Sequence, residues 1–139
     1  MKKSKLLWIS LCLSLLTVSN TVKGDIVKSP ACEQLVINLL QPAIEEKIKS
    51  YYGQEMSANV ELYNYGMHII EMKAELYKLP TVTLQVTTMI GAHNPIADYE
   101  IKFSVDNGGD VKVLKFKQLK VYPETLERFD LTLTLTHVE

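Results

Sequence analysis

Two alternating apolar segments, separated by a seven-residue connection, constrain this fold more than any other feature of the sequence. In residues 82–90 and again in residues 99–105, apolar side chains occupy every second position except at Thr88, and mostly polar ones lie between them. Such alternation is typical of β-strands that bury one face. The connection, residues 91–97, contains Gly, Asn and Pro, which are turn-forming residues. The sequence therefore predicts the centre of an antiparallel sheet with one apolar face.

Residues 60–77 show weaker strand character, with clean alternation only in their second half. His68, Ile70 and Met72 share one parity there, which predicts that His68 lies on the apolar face. Gly66 indicates a bulge or a break within this segment.

Two further segments follow the central hairpin. Residues 111–121 change parity part-way, so a β-bulge near Val113 and Leu114 is needed to keep one apolar face. The Asn107-Gly108 pair before this segment predicts a type I′ turn. Residues 130–139 alternate again, as either a fifth edge strand or a loosely attached tail.

One long amphipathic helix precedes the sheet. Ser29 and Pro30 form its start, as a capping residue followed by a proline at the first helical position. Gly53 is suited to end it, and Pro42 removes a hydrogen bond in its middle, so we expect one kinked helix. The apolar stripe repeats with helical spacing and comprises Val36, Leu39, Leu40, Ala43, Ile44, Ile48, Tyr51 and Tyr52.

These elements predict a two-layer α+β domain in which the kinked helix lies across four or five antiparallel strands. The helix is the element that is able to cover the apolar face of the sheet. Such an arrangement is of the cystatin-like type. We expect the domain to span residues 25–121, with residues 122–139 as a C-terminal extension or an edge strand.

The first 24 residues are typical of a signal peptide. Three lysines precede an uncharged, largely apolar run at residues 6–18, which is too short to span a bilayer comfortably. Cleavage is expected after Gly24, with cleavage after Thr21 or an uncleaved anchor as alternatives. The protein is therefore predicted to be secreted or extracytoplasmic, with no stable membrane span after cleavage.

Charge excludes one class of partner. Four of the 15 basic residues and none of the 16 acidic ones lie in residues 1–24, so the remainder has a formal net charge of −5. Phosphate backbones require clustered Lys and Arg, so we expect no nucleic-acid binding. Cys32 is the one cysteine after residue 24, which leaves it free or paired between molecules.

The most distinctive string is Gly91-Ala92-His93-Asn94-Pro95. Gly91, Asn94 and Pro95 have backbone reasons to occur in a hairpin connection. His93 has no such local explanation, so it is the first candidate for contact with a ligand. The binding hypothesis comprises His93, Asn94, Pro95 and Gly91.

A metal site or a general base would require His93 and His68 to act together. A zinc-like set would need a third ligand such as Asp98 or Glu100, and the spacing matches no HExxH or paired-cysteine motif. Cys32 has no histidine placed beside it by the sequence. No catalytic set and no cofactor are predicted.

Four lysines give one strand a basic character within an acidic chain. They suit contact with an anionic wall polymer or a membrane surface, and equally the protection of a sheet edge against pairing. They are Lys112, Lys115, Lys117 and Lys120.

Three features together resemble a known family. They are a signal peptide, a helix ending in Tyr51-Tyr52-Gly53, and a strand at residues 82–88 that leads into the string at residues 91–95. These resemble a family of small exported proteins of unknown function from bacilli and their relatives, over residues 32–121. Family members continue beyond Pro95 with a second Pro and a Tyr-Gly, where this chain has Ile96, Ala97 and Asp98. The resemblance implies export and a single domain, and it implies no activity.

The sequence thus favours an exported, non-enzymatic module that binds a protein, a peptide or an envelope component at the His93 end of the sheet. The alternative is a small metal-dependent or general-base hydrolase that uses His93 with His68. A third hypothesis is a purely structural or secretion-stress protein, in which the connection only closes a hairpin.

Overall fold

A helix, four strands and a second short helix follow one another along residues 29–131, which the computed structural model describes. The predicted signal peptide, residues 1–24, lies outside the described residues, and so do residues 132–139 of the predicted fifth strand or tail. The elements are α1 (Pro30–Ser57), β1 (Glu61–Lys73), β2 (Thr81–Met89), β3 (Pro95–Val105), β4 (Val111–Val121) and α2 (Pro123–Arg128).

The four strands form a sheet in the order β1-β2-β3-β4, with every neighbouring pair antiparallel. The predicted α+β class, with an N-terminal helix and an antiparallel sheet, is confirmed. β2 and β3 are central, and their alternating apolar side chains are buried beneath α1. The fully buried members of this face are Leu84, Val86, Tyr99, Ile101 and Phe103.

One stripe of α1 covers this face of the sheet. Ile37, Leu40, Ile44 and Ile48 are buried, and their spacing of three, four and four residues keeps them in line along the helix. Burial of each such side chain stabilises the fold by about 1.5–3 kcal/mol. Leu39, which was predicted to belong to the stripe, is 69% exposed, and Ile37 takes its place.

The break in α1 lies at Gly53 rather than at Pro42. Gly53 has φ 75° and ψ 176°, whereas the helix passes through Pro42 without leaving helical angles. Both Pro42 and Asn38, whose carbonyl loses its partner, are exposed, so water can replace the missing hydrogen bond. No helix within residues 29–131 is long and apolar enough to cross a membrane.

Two inserted residues correct the parity of β4. Its register with β3 shifts twice, so that Leu114 and Leu119 are each an extra residue in the strand. The bulge predicted near Val113 and Leu114 is confirmed, and the second was not predicted. As a result, β4 presents one consistent face to the core, made of Val111, Val113, Phe116 and Val121.

The turn before β4 differs from the predicted type I′. Among its residues only Gly109 has a positive φ, at 89°. The carboxylate of Asp106 accepts hydrogen bonds from the backbone N–H groups of Gly108 (2.8 Å) and Asp110 (2.9 Å). This side-chain bonding replaces the turn that Asn107 and Gly108 would otherwise form.

The predicted position of His68 on the apolar face is wrong. β1 carries an inserted residue, Ile70, between Ile69 and Glu71, so Met67 and Ile69 pack on the core instead. His68 lies opposite Gln85 and is exposed. Both parities of this segment are rich in apolar residues, so alternation alone did not fix which one faces inward.

The first turn of α1 is tied to the edge strand β1. The carboxylate of Glu33 accepts a hydrogen bond of 3.0 Å from the backbone N–H of Ile69. This N–H would otherwise lie unpaired along the edge of the sheet. The bond therefore fixes the N-terminal part of α1 to β1.

Two tyrosines anchor the other end of the helix. The Tyr99 hydroxyl donates to that of Tyr52 at 2.7 Å, and Tyr52 lies 2.8 Å from Thr88 Oγ1. Thr88 uses its own proton to bond the carbonyl of Ala97 at 3.1 Å. Tyr52 must therefore donate to Thr88, so the three hydroxyls form a chain with one direction. Tyr51 packs edge-on against Tyr99, with ring centroids 5.4 Å apart, and donates to Gln118 Oε1 at 3.0 Å.

These hydroxyls are protonated at neutral pH, and burial extends their protonation to more alkaline pH. Removal from water raises the pKa of both Tyr99 and Tyr52 above the ordinary value of 10.0. Both groups therefore retain the protons that the hydrogen-bond chain requires.

Tyr52→Phe should destabilise the protein more than Tyr99→Phe. Loss of the middle hydroxyl leaves Tyr99 without an acceptor and Thr88 without its donor, at a cost of about 1–3 kcal/mol. Loss of the Tyr99 hydroxyl leaves the bond from Tyr52 to Thr88 in place. Urea unfolding of the two variants measures the difference. An equal or larger loss for Tyr99→Phe would contradict the assigned direction of the chain.

Candidate functional site

The predicted site residues form a tight connection between β2 and β3. The backbone N–H of Ile90 donates to the carbonyl of Asn94 at 2.9 Å, and Met89 pairs with Pro95. Gly91 has φ 55°, and the amide of Asn94 donates to the carbonyl of Ala92 at 3.2 Å. Gly91 and Asn94 therefore have the backbone roles in this turn that the sequence predicted for them.

His93 has a local role in the turn as well. Its φ is 71°, in the left-handed region, which non-glycine residues seldom adopt but which His, Asn and Asp visit more often than most. The residue is exposed. Its backbone helps to close the connection, and its ring projects to a neighbouring strand.

The ring of His93 stacks on Tyr65 of β1, which stacks in turn on Tyr63. Its centroid lies 5.6 Å from that of Tyr65 at an interplanar angle of 30°, and Tyr65 stacks on Tyr63 at 5.2 Å and 19°. Tyr65 is 51% exposed, and its hydroxyl lies 3.4 Å from His93 Nδ1. We call Tyr63, Tyr65 and His93 the aromatic ladder. It brings rings from two strands together on the surface.

A large insertion in β1 displays this ladder. Leu62 pairs with Thr88 and Met67 pairs with Val86, so residues 63–66 of β1 lie opposite a single residue of β2. Gly66 closes the insertion. A Cβ atom at Gly66 would lie 3.1 Å from Met89 Cε and 3.3 Å from the carbonyl oxygen of Thr87, so a larger residue would have to displace its neighbours by a few tenths of an ångström where β1 passes over β2.

The helix α2 supports the sheet behind the connection. The Asp98 carboxylate, which is 7% exposed, accepts hydrogen bonds from the hydroxyls of Thr87 (2.7 Å) and Tyr122 (3.0 Å). The backbone N–H of Tyr122 donates to the carbonyl of Ile96 at 2.9 Å. These bonds fix the first residues of β3 and hence the position of the turn that carries His93.

A groove adjoins the ladder at Tyr63. It has a volume of about 350 Å³ and lies between α1 and the start of β1. The hydroxyl of Tyr63 donates to the carboxylate of Glu61, and Lys49 lies 3.5 Å from the carboxylate of Glu45. The groove is therefore lined by polar groups beside an apolar floor that includes Ile48 and Leu62.

The structure offers no third ligand to a His68–His93 pair. Within residues 29–131, no group of three or more His, Cys, Asp and Glu side chains is placed to hold a metal ion. Asp98 bonds two hydroxyls, and Glu100 accepts a hydrogen bond of 2.8 Å from Lys115. Both carboxylates that were considered as ligands thus have other partners.

Cys32 lies partly buried in the first turn of α1 and forms no disulfide within the described residues. Among the described residues, Cys32 forms no side-chain hydrogen bond with His93 or with either tyrosine of the ladder.

Comparison with known proteins identifies the family. A family model described as a protein of unknown function, DUF3888, matches residues 32–120, which is more than half of the chain. The chain belongs to the DUF3888 family. The matched range contains the whole aromatic ladder, the His93 connection and all four lysines of β4.

No curated protein matches the chain. No solved structure matches it either, so the likeness to cystatin-like folds stays a prediction. The DUF3888 assignment agrees with the predicted membership of a family of unknown function, and it adds no activity.

Sequence reasoning found His93 but missed Tyr63 and Tyr65. Their signal was present, because two tyrosines at alternate positions lie directly before Gly66. Alternate positions of a strand project to one face, and glycine in a strand marks a bulge. What the sequence did not reveal is that the bulge brings Tyr65 against His93.

His93→Gly should be more stable than His93→Ala by about 1 kcal/mol, because glycine adopts the left-handed conformation without a steric penalty. Both variants remove the ring, so their difference isolates the backbone role. Thermal or urea unfolding measures it. If His93→Ala were as stable as His93→Gly, the turn would not depend on the backbone conformation at this position.

Proposed function

We propose that this DUF3888 protein is an exported, non-enzymatic binding module whose contact surface is the aromatic ladder with the adjoining groove. Its partner would be a protein, a peptide or an envelope component outside the cytoplasm. The observation that carries the proposal is the exposed stack of Tyr63, Tyr65 and His93 at one end of the sheet.

The exposure of the ladder supports a binding role. Tyr65 is 51% exposed although its ring is stacked on both sides and its hydroxyl reaches Met89 Sδ at 3.3 Å. Tyrosine presents a large contact area with few rotatable bonds, and it is enriched where proteins contact their partners. An ordered ring that remains exposed is therefore suited to binding at little cost in conformational entropy.

The surroundings of the ladder indicate the chemistry of the partner. The stack presents apolar ring edges and the outer ring faces at its two ends. Beside it, the Glu61 carboxylate and the Asn64 amide hydrogen-bond Tyr63 and Asn38 and have capacity for further hydrogen bonds. A ligand with a flat or ring-shaped apolar part and polar substituents matches both. A peptide segment with Pro or an aromatic residue and a sugar ring both have this character.

Export is supported by the sequence of residues 1–24, with its lysines, its apolar run and its small residue at position 24. The protein recovered from the medium or the envelope fraction should begin at Asp25. Mass spectrometry of the N-terminal peptide measures this. Recovery of the chain only from the cytoplasm, with Met1 or Lys2 at its N-terminus, would overturn the export proposal.

The double variant Tyr65→Ala/His93→Gly should lose binding to its partner while it keeps the fold. The purified chain from residue 25 is mixed separately with cell walls and with membranes from Gram-positive cells, and bound protein is measured by co-sedimentation. The ladder rings should contribute most of the affinity, so we expect at least a tenfold loss, or roughly 1.4 kcal/mol.

Tyr77→Ala is the matched control. Tyr77 is 98% exposed and lies in the connection between β1 and β2, at the opposite end of these strands. The control should bind as the wild type does, and unfolding curves should show that all variants are folded. The proposal would be wrong if the double variant bound cell walls or membranes as well as the wild type does. It would also be wrong if the double variant and the Tyr77→Ala control lost binding equally.

A further inference from the structure

All four lysines of β4 project from the face of the sheet that α1 leaves open. Residues directly opposite in an antiparallel pair share a face. The partners on β3 are Ser104 for Lys112, Lys102 for Lys115, Glu100 for Lys117 and Asp98 for Lys120.

The two inserted residues of β4 produce this arrangement. In a regular strand Lys112 and Lys115 would project to opposite faces, and so would Lys117 and Lys120. Leu114 and Leu119 each add one residue between the members of a pair and bring them to the same face. The four lysines form what we call the lysine stripe.

The stripe is linear and regularly spaced. Its members lie opposite every second residue of β3, so successive ammonium groups leave the strand at intervals of about 7 Å over a length of about 20 Å. Each of the four residues is exposed.

The charges on this face are not balanced. Lys115 bonds Glu100 at 2.8 Å, and Lys120 lies 4.0 Å above the ring of Tyr122. Among the described residues, no carboxylate lies within 4 Å of Lys112 or Lys117. An excess of positive charge therefore remains along the stripe of a chain whose expected mature form is acidic.

A like-charge pair adds to this imbalance. Lys102 stands directly opposite Lys115, and like charges in that position destabilise a sheet. The hydrogen bond from Lys115 (2.8 Å) lowers the pKa of Glu100, and attraction to Lys115, Lys117 and Lys102 lowers it further against the opposing effect of burial. An anionic ligand would relieve this repulsion.

Protection of a sheet edge accounts for less of the pattern. A bulge or a single lysine is enough to disrupt edge pairing, and β4 has two bulges. Edge protection also gives no reason for four lysines to share one face.

We propose that the lysine stripe, together with Lys102, binds a linear phosphodiester polymer of the cell surface, of the poly(glycerol phosphate) type. The inference does not rest on the aromatic ladder. Its anionic groups would lie along the strand and accept hydrogen bonds from successive ammonium groups.

The geometry of the stripe favours a polymer over a lipid bilayer. Leu114 and Leu119 are 49% and 44% exposed among the lysines, but they are two isolated side chains, whereas a surface that enters a bilayer presents a continuous apolar face. On the neighbouring strands Thr83 and Ser104 are buried, so the ammonium groups supply the main polar contacts of this face. A single row of charges at regular intervals suits an extended polyanion.

The purified chain from residue 25 is titrated with poly(glycerol phosphate) at several salt concentrations. If four lysines each neutralise one phosphate, the logarithm of the binding constant should fall with the logarithm of salt with a slope of about −3, by analogy with single-stranded nucleic acids. That slope corresponds to roughly 60-fold weaker binding at 200 mM than at 50 mM salt.

Lys112→Gln/Lys117→Gln is the test variant, and Lys78→Gln/Arg128→Gln, at two exposed cations outside the stripe and the groove, is a control with the same change in net charge. At low salt the test variant should bind the polymer at least about tenfold more weakly than the wild type. The slope of its logarithmic binding constant against logarithmic salt should be closer to zero by about 1.4. The control should bind as the wild type does. Lys102→Gln should weaken binding without lowering thermal stability, because it removes a like-charge pair.

Three results would overturn the inference. The first is no binding of the polymer at 50 mM salt, and the second is an equal loss in the test and control variants. The third is binding to vesicles of phosphatidylglycerol, or to single-stranded DNA, with no binding to poly(glycerol phosphate). Loss of binding in the stripe variant with an intact aromatic ladder distinguishes this site from the proposed function.

Discussion

Burial of one sheet face beneath one stripe of a helix is the contact on which the rest of this structure depends. Ile44, Leu84 and Ile101 are completely buried within it. No disulfide adds to it within the described residues, since Cys32 is free. The ends of α1 are then fixed by polar bonds, from Glu33 to β1 and from Tyr52 to β2 and β3. Apolar burial supplies the stability, and these bonds define where the helix lies.

The outer strands differ from the central ones in their use of inserted residues. β2 and β3 pair regularly over most of their length, whereas β1 and β4 each contain two shifts of register. Both proposed surfaces arise at these shifts. The insertion at residues 63–66 brings two tyrosines against His93, and those at Leu114 and Leu119 align four lysines. The regular core therefore carries irregular edges that present side chains in patterns an unbroken strand does not allow.

The features predicted from the sequence are those fixed by local pattern. Alternation identified β2 and β3, helical spacing identified α1, and Gly, Asn and Pro identified the connection that holds His93. The wrong predictions concern side chains for which the local sequence pattern allows two orientations, so that packing decides between them. His68 was assigned inward because it shares parity with Ile70 and Met72, but the inserted residue Ile70 changes the parity, so Met67 and Ile69 face the core instead. The contact of Tyr65 with His93 depends on a register that no local pattern specifies. Export and the identity of a partner are sequence-based proposals that the fold does not address.

The bond between Tyr51 and Gln118 has a consequence for the order in which this chain folds. It joins residues 67 positions apart, so the helix, which is synthesised before the strands, completes its docking only when β4 has arrived. Contacts of such long range slow folding, because a large loop must close before the contact forms. Before β4 arrives, β2 and β3 can cover the stripe around Ile44, but Tyr51 lacks its partners Phe116 and Gln118. The C-terminal part of this helix therefore stays incompletely covered in the nascent chain until β4 pairs with β3.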